Sequence, residues 1–148
     1  MKEIERKFLV NDLTVIENCT YVEIKQAYLF NEKEKSLRIR IKNDRAFLTI
    51  KGNNSGFTRD EFEYEIPKSD AEEMIGIFQL KVLEKRRYYF VSESFTWEID
   101  VFKGGHEGLC IAEIELPSED VQFEIPNWIG EEVTFDSNYL NAELIKRL

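Results

Sequence analysis

Leu37-Arg38-Ile39-Arg40-Ile41 sets two arginines on one side of an extended chain and three aliphatic residues on the other. Side chains two apart in a strand share a face, so each such stretch has one charged face and one apolar face. The pattern recurs with its sign held constant within each stretch. Glu61-Phe62-Glu63-Tyr64-Glu65-Ile66, Trp97-Glu98-Ile99-Asp100-Val101 and Ala112-Glu113-Ile114-Glu115-Leu116 carry acids, Lys85 and Arg87 flank Arg86, and Glu3, Glu5 and Lys7 alternate with Ile4 and Phe8. No helix accommodates this periodicity, so the chain reads as a mainly β protein.

Period-two alternation predicts strands at about 2–10, 21–30, 35–42, 46–51, 59–66, 81–91, 95–102 and 110–116. Asn43-Asp44, the run Gly52-Asn53-Asn54-Ser55-Gly56, and Gly104-Gly105 with Gly108 supply turns between them. A helix is expected after Pro67, with Ser69 as N-cap, Glu72 completing a capping box, and Ala71, Met74, Ile75 and Phe78 as its apolar face. A short second helix is expected from Pro117-Ser118 to before Pro126. A third is expected from about Asp136 or Ser137, with Leu140, Leu144, Ile145 and Leu148 as its stripe. No linker, repeat or low-complexity tract divides the 148 residues, which read as a single domain, 1–148.

A solvated charged face is the commoner arrangement for any one strand, with the apolar face on a core. Solvated faces, however, mix Thr, Ser, Gln and Lys, whereas these hold Arg-x-Arg, Lys-x-Arg and Glu-x-Glu. The other arrangement closes the sheet into a barrel with both signs inside and the apolar faces outward under helices or a partner. Burying one sign alone would be prohibitive. With both present, carboxylates suit a hard divalent cation and Arg and Lys suit phosphate oxygens. A net charge of −9 disfavours general nucleic-acid binding. No apolar run approaches the roughly 20 residues of a membrane helix. Two distant cysteines, Cys19 and Cys110, and a charged N-terminus lead us to expect a cytoplasmic protein.

The ordered set of motifs resembles the CYTH superfamily, the triphosphate tunnel metalloenzymes. It comprises the E-x-E-x-K of Glu3, Glu5 and Lys7, then Tyr28, Arg38-Ile39-Arg40, Thr49-Ile50-Lys51, Arg59 with Glu61 and Glu63, Lys85 with Arg87, Asp100, and Glu113 with Glu115. The tail Trp128-Ile129-Gly130-Glu131-Glu132-Val133-Thr134, with Tyr139 and Asn141, is similar to the small bacterial members. Asn138 departs from the pattern, where a basic residue is expected before the tail tyrosine.

The resemblance implies a closed antiparallel eight-stranded β-barrel, the tunnel, with a few helices packed outside. It implies Mg2+- or Mn2+-dependent hydrolysis of tripolyphosphate to pyrophosphate and phosphate. The metal side carries over to Glu3, Glu5, Glu61, Glu63, Asp100, Glu113 and Glu115. The phosphate side carries over to Lys7, Arg38, Arg40, Lys51, Arg59, Lys85 and Arg87, and the catalytic set to Lys7, Tyr28, Lys85 and Glu63. Thiamine or nucleoside triphosphatase, class IV-type adenylate cyclase and a non-catalytic polyphosphate sensor are the alternatives. The apolar outer face suggests a homodimer.

Outside these motifs, His106 is expected in an exposed loop, Trp97 in outer-face packing, Trp128 as an anchor of a helix to the barrel, and Glu65 and Glu98 at a barrel rim. Glu32-Lys33-Glu34-Lys35 reads as an exposed turn, and Lys25 has no assigned side.

Overall fold

A computed structural model describes residues 2–32 and 34–148, the side chains of Lys2, Glu3, Asn54 and Ser55 excepted. Nine strands form one antiparallel sheet: β1 (Lys2–Val10), β2 (Thr20–Asn31), β3 (Ser36–Lys42), β4 (Arg45–Ser55), β5 (Thr58–Ile66), β6 (Leu83–Ser92), β7 (Phe95–Phe102), β8 (Cys110–Glu115) and β9 (Ile129–Glu132). The order is β5-β4-β3-β2-β6-β7-β8-β1-β9, and β5 also pairs with β1. That last pairing closes the first eight strands into a barrel and removes their free edges.

The closure is split. On one edge β1 pairs with β8 from Glu5↔Glu115 to Leu9↔Ile111. Its other edge meets β5 only at Lys2, Glu3 and Ile4, and β9 takes over that edge at Phe8 and Val10. Between them, Lys7 N–H donates to Thr134 Oγ1 at 3.0 Å and Val133 N–H donates to the Lys7 carbonyl at 2.8 Å. β9, four residues with no alternating pattern, was not among the expected strands.

The apolar faces point outward and are covered in two patches. Phe8, Trp97, Ile99, Ala112 and Ile114 pack under Trp128, Ile129, Phe123 and Val121. Trp97 is buried there, its ring centroid 5.5 Å from Trp128 and 5.6 Å from Phe8. Ile39, Ile41 and Ala46 pack under α1 (Lys68–Ile77) through Ala71, Met74 and Ile75.

The helices differ from the sequence expectation in three places. α1 begins at Lys68 with Pro67 as N-cap and no side-chain cap bond, so Ser69 lies inside the first turn. Proline's fixed φ and missing N–H suit a helix start, and Pro67 O accepts from the Asp70 and Ala71 amides. No helix forms over residues 117–126. That stretch is a strap of bends and a turn running into irregular chain, and Glu119 accepts from Phe57 N–H and Thr58 Oγ1 at the β4–β5 hairpin. Trp128 therefore anchors a strap rather than a helix. The C-terminal helix is broken into 3-10 turns at Ser137–Tyr139 and Ile145–Arg147 around α2 (Asn141–Leu144), and Leu148 is exposed.

Candidate active site

Cross-strand partners share a face, so the register locates every charged side chain of the interior. Lys7 lies opposite Glu113, which lies opposite Glu98. Asp100 lies opposite Arg87. Tyr28 lies opposite Arg38, Arg38 opposite Thr49, and Thr49 opposite Glu63. Lys51 lies opposite Glu61, and Arg59 opposite Glu3. The motif residues thus line the inside of the closed barrel. The side chain of Glu3 lies outside the described residues.

The interior neutralises itself in pairs. Asp100, almost fully buried, accepts from Lys85 Nζ at 2.6 Å and from Arg87 Nε and Nη2 at 2.7 and 2.9 Å. Lys7 lies 3.5 Å from Glu113, Lys51 3.5 Å from Glu61, Arg38 3.7 Å from Glu63 and Arg87 3.4 Å from Glu98. Thr49 Oγ1 links the Arg38 pair, accepting from Arg38 at 3.1 Å and donating to Glu63 at 2.9 Å. Glu63 is the most open of these carboxylates.

Titration follows from this geometry. Burial would raise the Asp100 carboxyl, but Arg87 and Lys85 outweigh it and hold it well below the carboxylate range. Glu113 is held at about 2 against its burial, by Lys7 and Arg87. The two buried lysines part company. Lys7 is raised, because Glu113, Glu5 and Asp100 overcome its desolvation. Lys85 is brought down to about 7, chiefly by burial and then by Arg87 and Arg40, in spite of Asp100. Arg40 has no carboxylate partner among the described residues. Burial, with Arg38 and Arg87 nearby, brings it down to about 9, so it remains a cation at neutral pH.

Two contiguous chambers of about 30 Å³ each lie in this interior and share Glu5, Lys7, Arg59 and Leu140. Tyr28, Ser36, Arg38, Lys51 and Asn141 complete one of them, and Gly56, Phe57 and Thr134 the other. Each holds about the volume of one water. Glu98 and Glu115 also line a wider groove of about 570 Å³ with Phe95, Leu116 and Pro117.

One end of the tunnel is walled off by apolar side chains. Leu83, Phe102 and Ile111 point inward beside Lys85 and Asp100 and pack on Leu144 and Ile145 of the C-terminal segment. Polar contacts seat that segment. Lys85 Nζ donates to Asn141 Oδ1 at 3.1 Å, Asn31 Nδ2 donates to the Ala142 carbonyl at 2.7 Å, and Lys7 Nζ donates to the Tyr139 carbonyl at 3.3 Å. His106 is half-buried rather than exposed, with Nε2 2.6 Å from the Leu144 carbonyl. Asn138 lies outside, its carbonyl accepting from Arg147.

Lys25 is exposed on the outer face, Glu65 pairs with Arg45 in solvent, and Glu98 reaches Arg87 from the rim. Among the described members of 32–35, Glu32, Glu34 and Lys35 are exposed, and Lys33 lies outside the described residues.

The donor set is compatible with a hard cation. Glu5 faces Glu115 and Glu98 faces Glu113 across neighbouring strands, and buried Glu61 Oε2 makes no hydrogen bond. All are oxygen ligands of the type Mg2+ and Mn2+ take. Among the described residues, no three such groups converge in this conformation, because most are turned toward cationic side chains.

Sequence reasoning passed over Gln26. It lies opposite Arg40 and Leu83, fully buried, and its Oε1 accepts from Arg40 Nε at 3.1 Å. Its position two residues before Tyr28, on the same face, was the available signal.

Known proteins agree with this geometry. The CYTH domain model matches residues 1–147. An inorganic triphosphatase of Acetivibrio thermocellus is 49% identical over 146 residues, spanning 98% of this chain and 94% of the relative. An inorganic triphosphatase of Nitrosomonas europaea is 36% identical over 148 residues, 97% of each chain. The crystal structure of the inorganic triphosphatase NE1496 superposes with a TM-score of 0.70 at 32% identity, covering 99% of this chain and 95% of the other. A closed barrel with sign-sorted walls, matched over its whole length by that domain model, belongs to the CYTH domain family.

Proposed function

We propose that this protein hydrolyses tripolyphosphate to pyrophosphate and phosphate inside the barrel, with Mg2+ or Mn2+ as its cation. The observation that carries the reading is Arg40, half-buried and without a carboxylate partner among the described residues, set beside Arg38 and Arg87 in a tunnel walled at one end. A guanidinium drawn inward without a carboxylate is costly and favours an anion. The two inorganic triphosphatases named above support the choice of substrate.

Phosphoryl transfer is governed by positioning and charge stabilisation. Arg38, Arg40, Lys51, Arg59 and Arg87 hold phosphate oxygens, the arginines through forked hydrogen bonds. Lys7 keeps its charge and neutralises the chain beside Glu5. Lys85 carries a proton at Nζ that is labile near neutral pH, suited to the leaving oxygen. Tyr28 orients a phosphate oxygen through its hydroxyl. Glu63, tied to Thr49 and Arg38, accepts the proton of the attacking water. Glu3, Glu5, Glu61, Glu113 and Glu115 would hold the divalent cation, which supplies neutralisation of the phosphate charge. We assign Asp100 to Lys85 and Arg87 as their counter-ion rather than to the cation.

Substrate and cation exchange partners with the internal pairs. Phosphate oxygens replace carboxylates on the cationic side chains, and the freed carboxylates would hold the cation. The reading is tested by phosphate release from tripolyphosphate, ATP, GTP and thiamine triphosphate, each with Mg2+, Mn2+ or chelator. Release fastest from tripolyphosphate and abolished by chelator is expected. Equal or faster turnover of an organic triphosphate, or cyclic AMP from ATP, would replace the substrate assignment. Tight binding without release would leave a sensor.

A further inference from the structure

We propose that Gln26 is a substrate-binding residue that donates a hydrogen bond from its amide to a phosphoryl oxygen of the bound chain. The proposal rests on the tripolyphosphatase reading above.

The orientation of the amide is dictated by its neighbour. Arg40 is a donor only, so the Gln26 atom facing Arg40 Nε at 3.1 Å is the oxygen. The NH2 group must then point the other way, and Gln26 Nε2 is buried with no hydrogen-bond partner. A buried unsatisfied donor is unfavourable and is rare in native proteins. Arg38 Nε, on the same interior face, is likewise buried and unpartnered. Two adjacent donors without acceptors, next to a guanidinium without a carboxylate, are matched by an oxyanion.

The neighbours across the sheet place Gln26 between charge and an apolar wall. On one side of Gln26 lies Arg40, and on the other Leu83, which belongs to the apolar wall with Phe102, Ile111, Leu144 and Ile145. Tyr28, two residues further along the same face, touches the same wall. A neutral amide suits this place, since a further cation beside Arg40 would be left uncompensated.

The test compares wild type, Gln26→Met, Arg40→Ala and the double variant by calorimetric titration with tripolyphosphate and by steady-state phosphate release. Gln26→Met is expected to weaken binding about tenfold, the effect of about 1.4 kcal/mol, and to raise KM alongside. The loss should recur in the Arg40→Ala background. No further loss there would make Gln26 only a prop for Arg40 and overturn the proposal, as would unchanged affinity. Gln26→Glu keeps the oxygen that Arg40 needs and puts a charged acceptor in place of the donor, so it covers a misfolded Gln26→Met. Wild-type affinity in Gln26→Glu would also overturn the proposal. A wild type that binds tripolyphosphate but releases no phosphate counts against the hydrolase reading alone, because the affinity comparison still decides Gln26.

Discussion

Asp100→Asn separates a counter-ion from a metal ligand. The wild-type carboxylate is 1% exposed and takes three hydrogen bonds from Lys85 and Arg87, all between 2.6 and 2.9 Å. The asparagine keeps the shape and removes the charge, leaving two buried cations facing an amide, with Arg40 close by. Removing one partner of a buried pair costs about 3–5 kcal/mol. Against a total of about 5–15 kcal/mol, that is a large share of stability. It lowers the melting temperature by about 10 °C for a chain of this size. Urea unfolding of both proteins, in chelator and without substrate, measures it. The deficit should persist in chelator, because the lost partners are side chains. Metal-free tripolyphosphate should stabilise the variant more than the wild type, since the anion supplies the missing charge. A variant within about 1 kcal/mol of wild type in chelator, or a deficit present only with metal, would refute the counter-ion role.

Two further predictions concern protons. Glu113 is held at about 2, below its ordinary 4.5, so its contribution is present above pH 4.5 and is lost as pH falls toward 2. It amounts to about 3 kcal/mol. Urea midpoints between pH 6 and 2 should show Glu113→Gln losing less stability with acid than wild type does, and parallel curves would refute it. Lys85, at about 7, is largely neutral at pH 8, and an arriving polyanion raises it. Calorimetry in buffers of different ionisation enthalpy should therefore show proton uptake on tripolyphosphate binding at pH 8. That uptake should be absent in Lys85→Met, and equal uptake in the two would refute the assignment.

The eight barrel strands were legible because alternation is a local property, and each expected strand overlaps an observed one. The inward turn of the charged faces was not legible from any one strand. It came from the sorting of sign between strands, which a solvated surface does not require. β9 escaped because Ile129-Gly130-Glu131-Glu132 has no pattern of its own. It is a strand because β5 leaves the β1 edge after Ile4. The absent second helix has a comparable cause. Ser118-Glu119-Asp120 looks like a helix start, yet Glu119 serves a hairpin some 60 residues earlier. Ser69 fits a cap by type, but Pro67 already sets the helical φ. Gln26, between Lys25 and Ala27, carries no charge, and only the Arg40 contact reveals which way its amide points.

The split edge of β1 also governs when this chain can fold. β1 is the first strand made, yet its partners on one side are residues 111–115, and Lys7 finds Thr134 127 positions later. Such long closures are entropically costly and slow to form. During synthesis the meander β2 to β5 can assemble from neighbours, while β1 waits with two unpaired edges. Until the last quarter of the chain emerges, the paired acids and bases of the interior are exposed to water as a half-open sheet. Barrel closure therefore waits for β8, and the unclosed sheet is the species most open to strand-edge association.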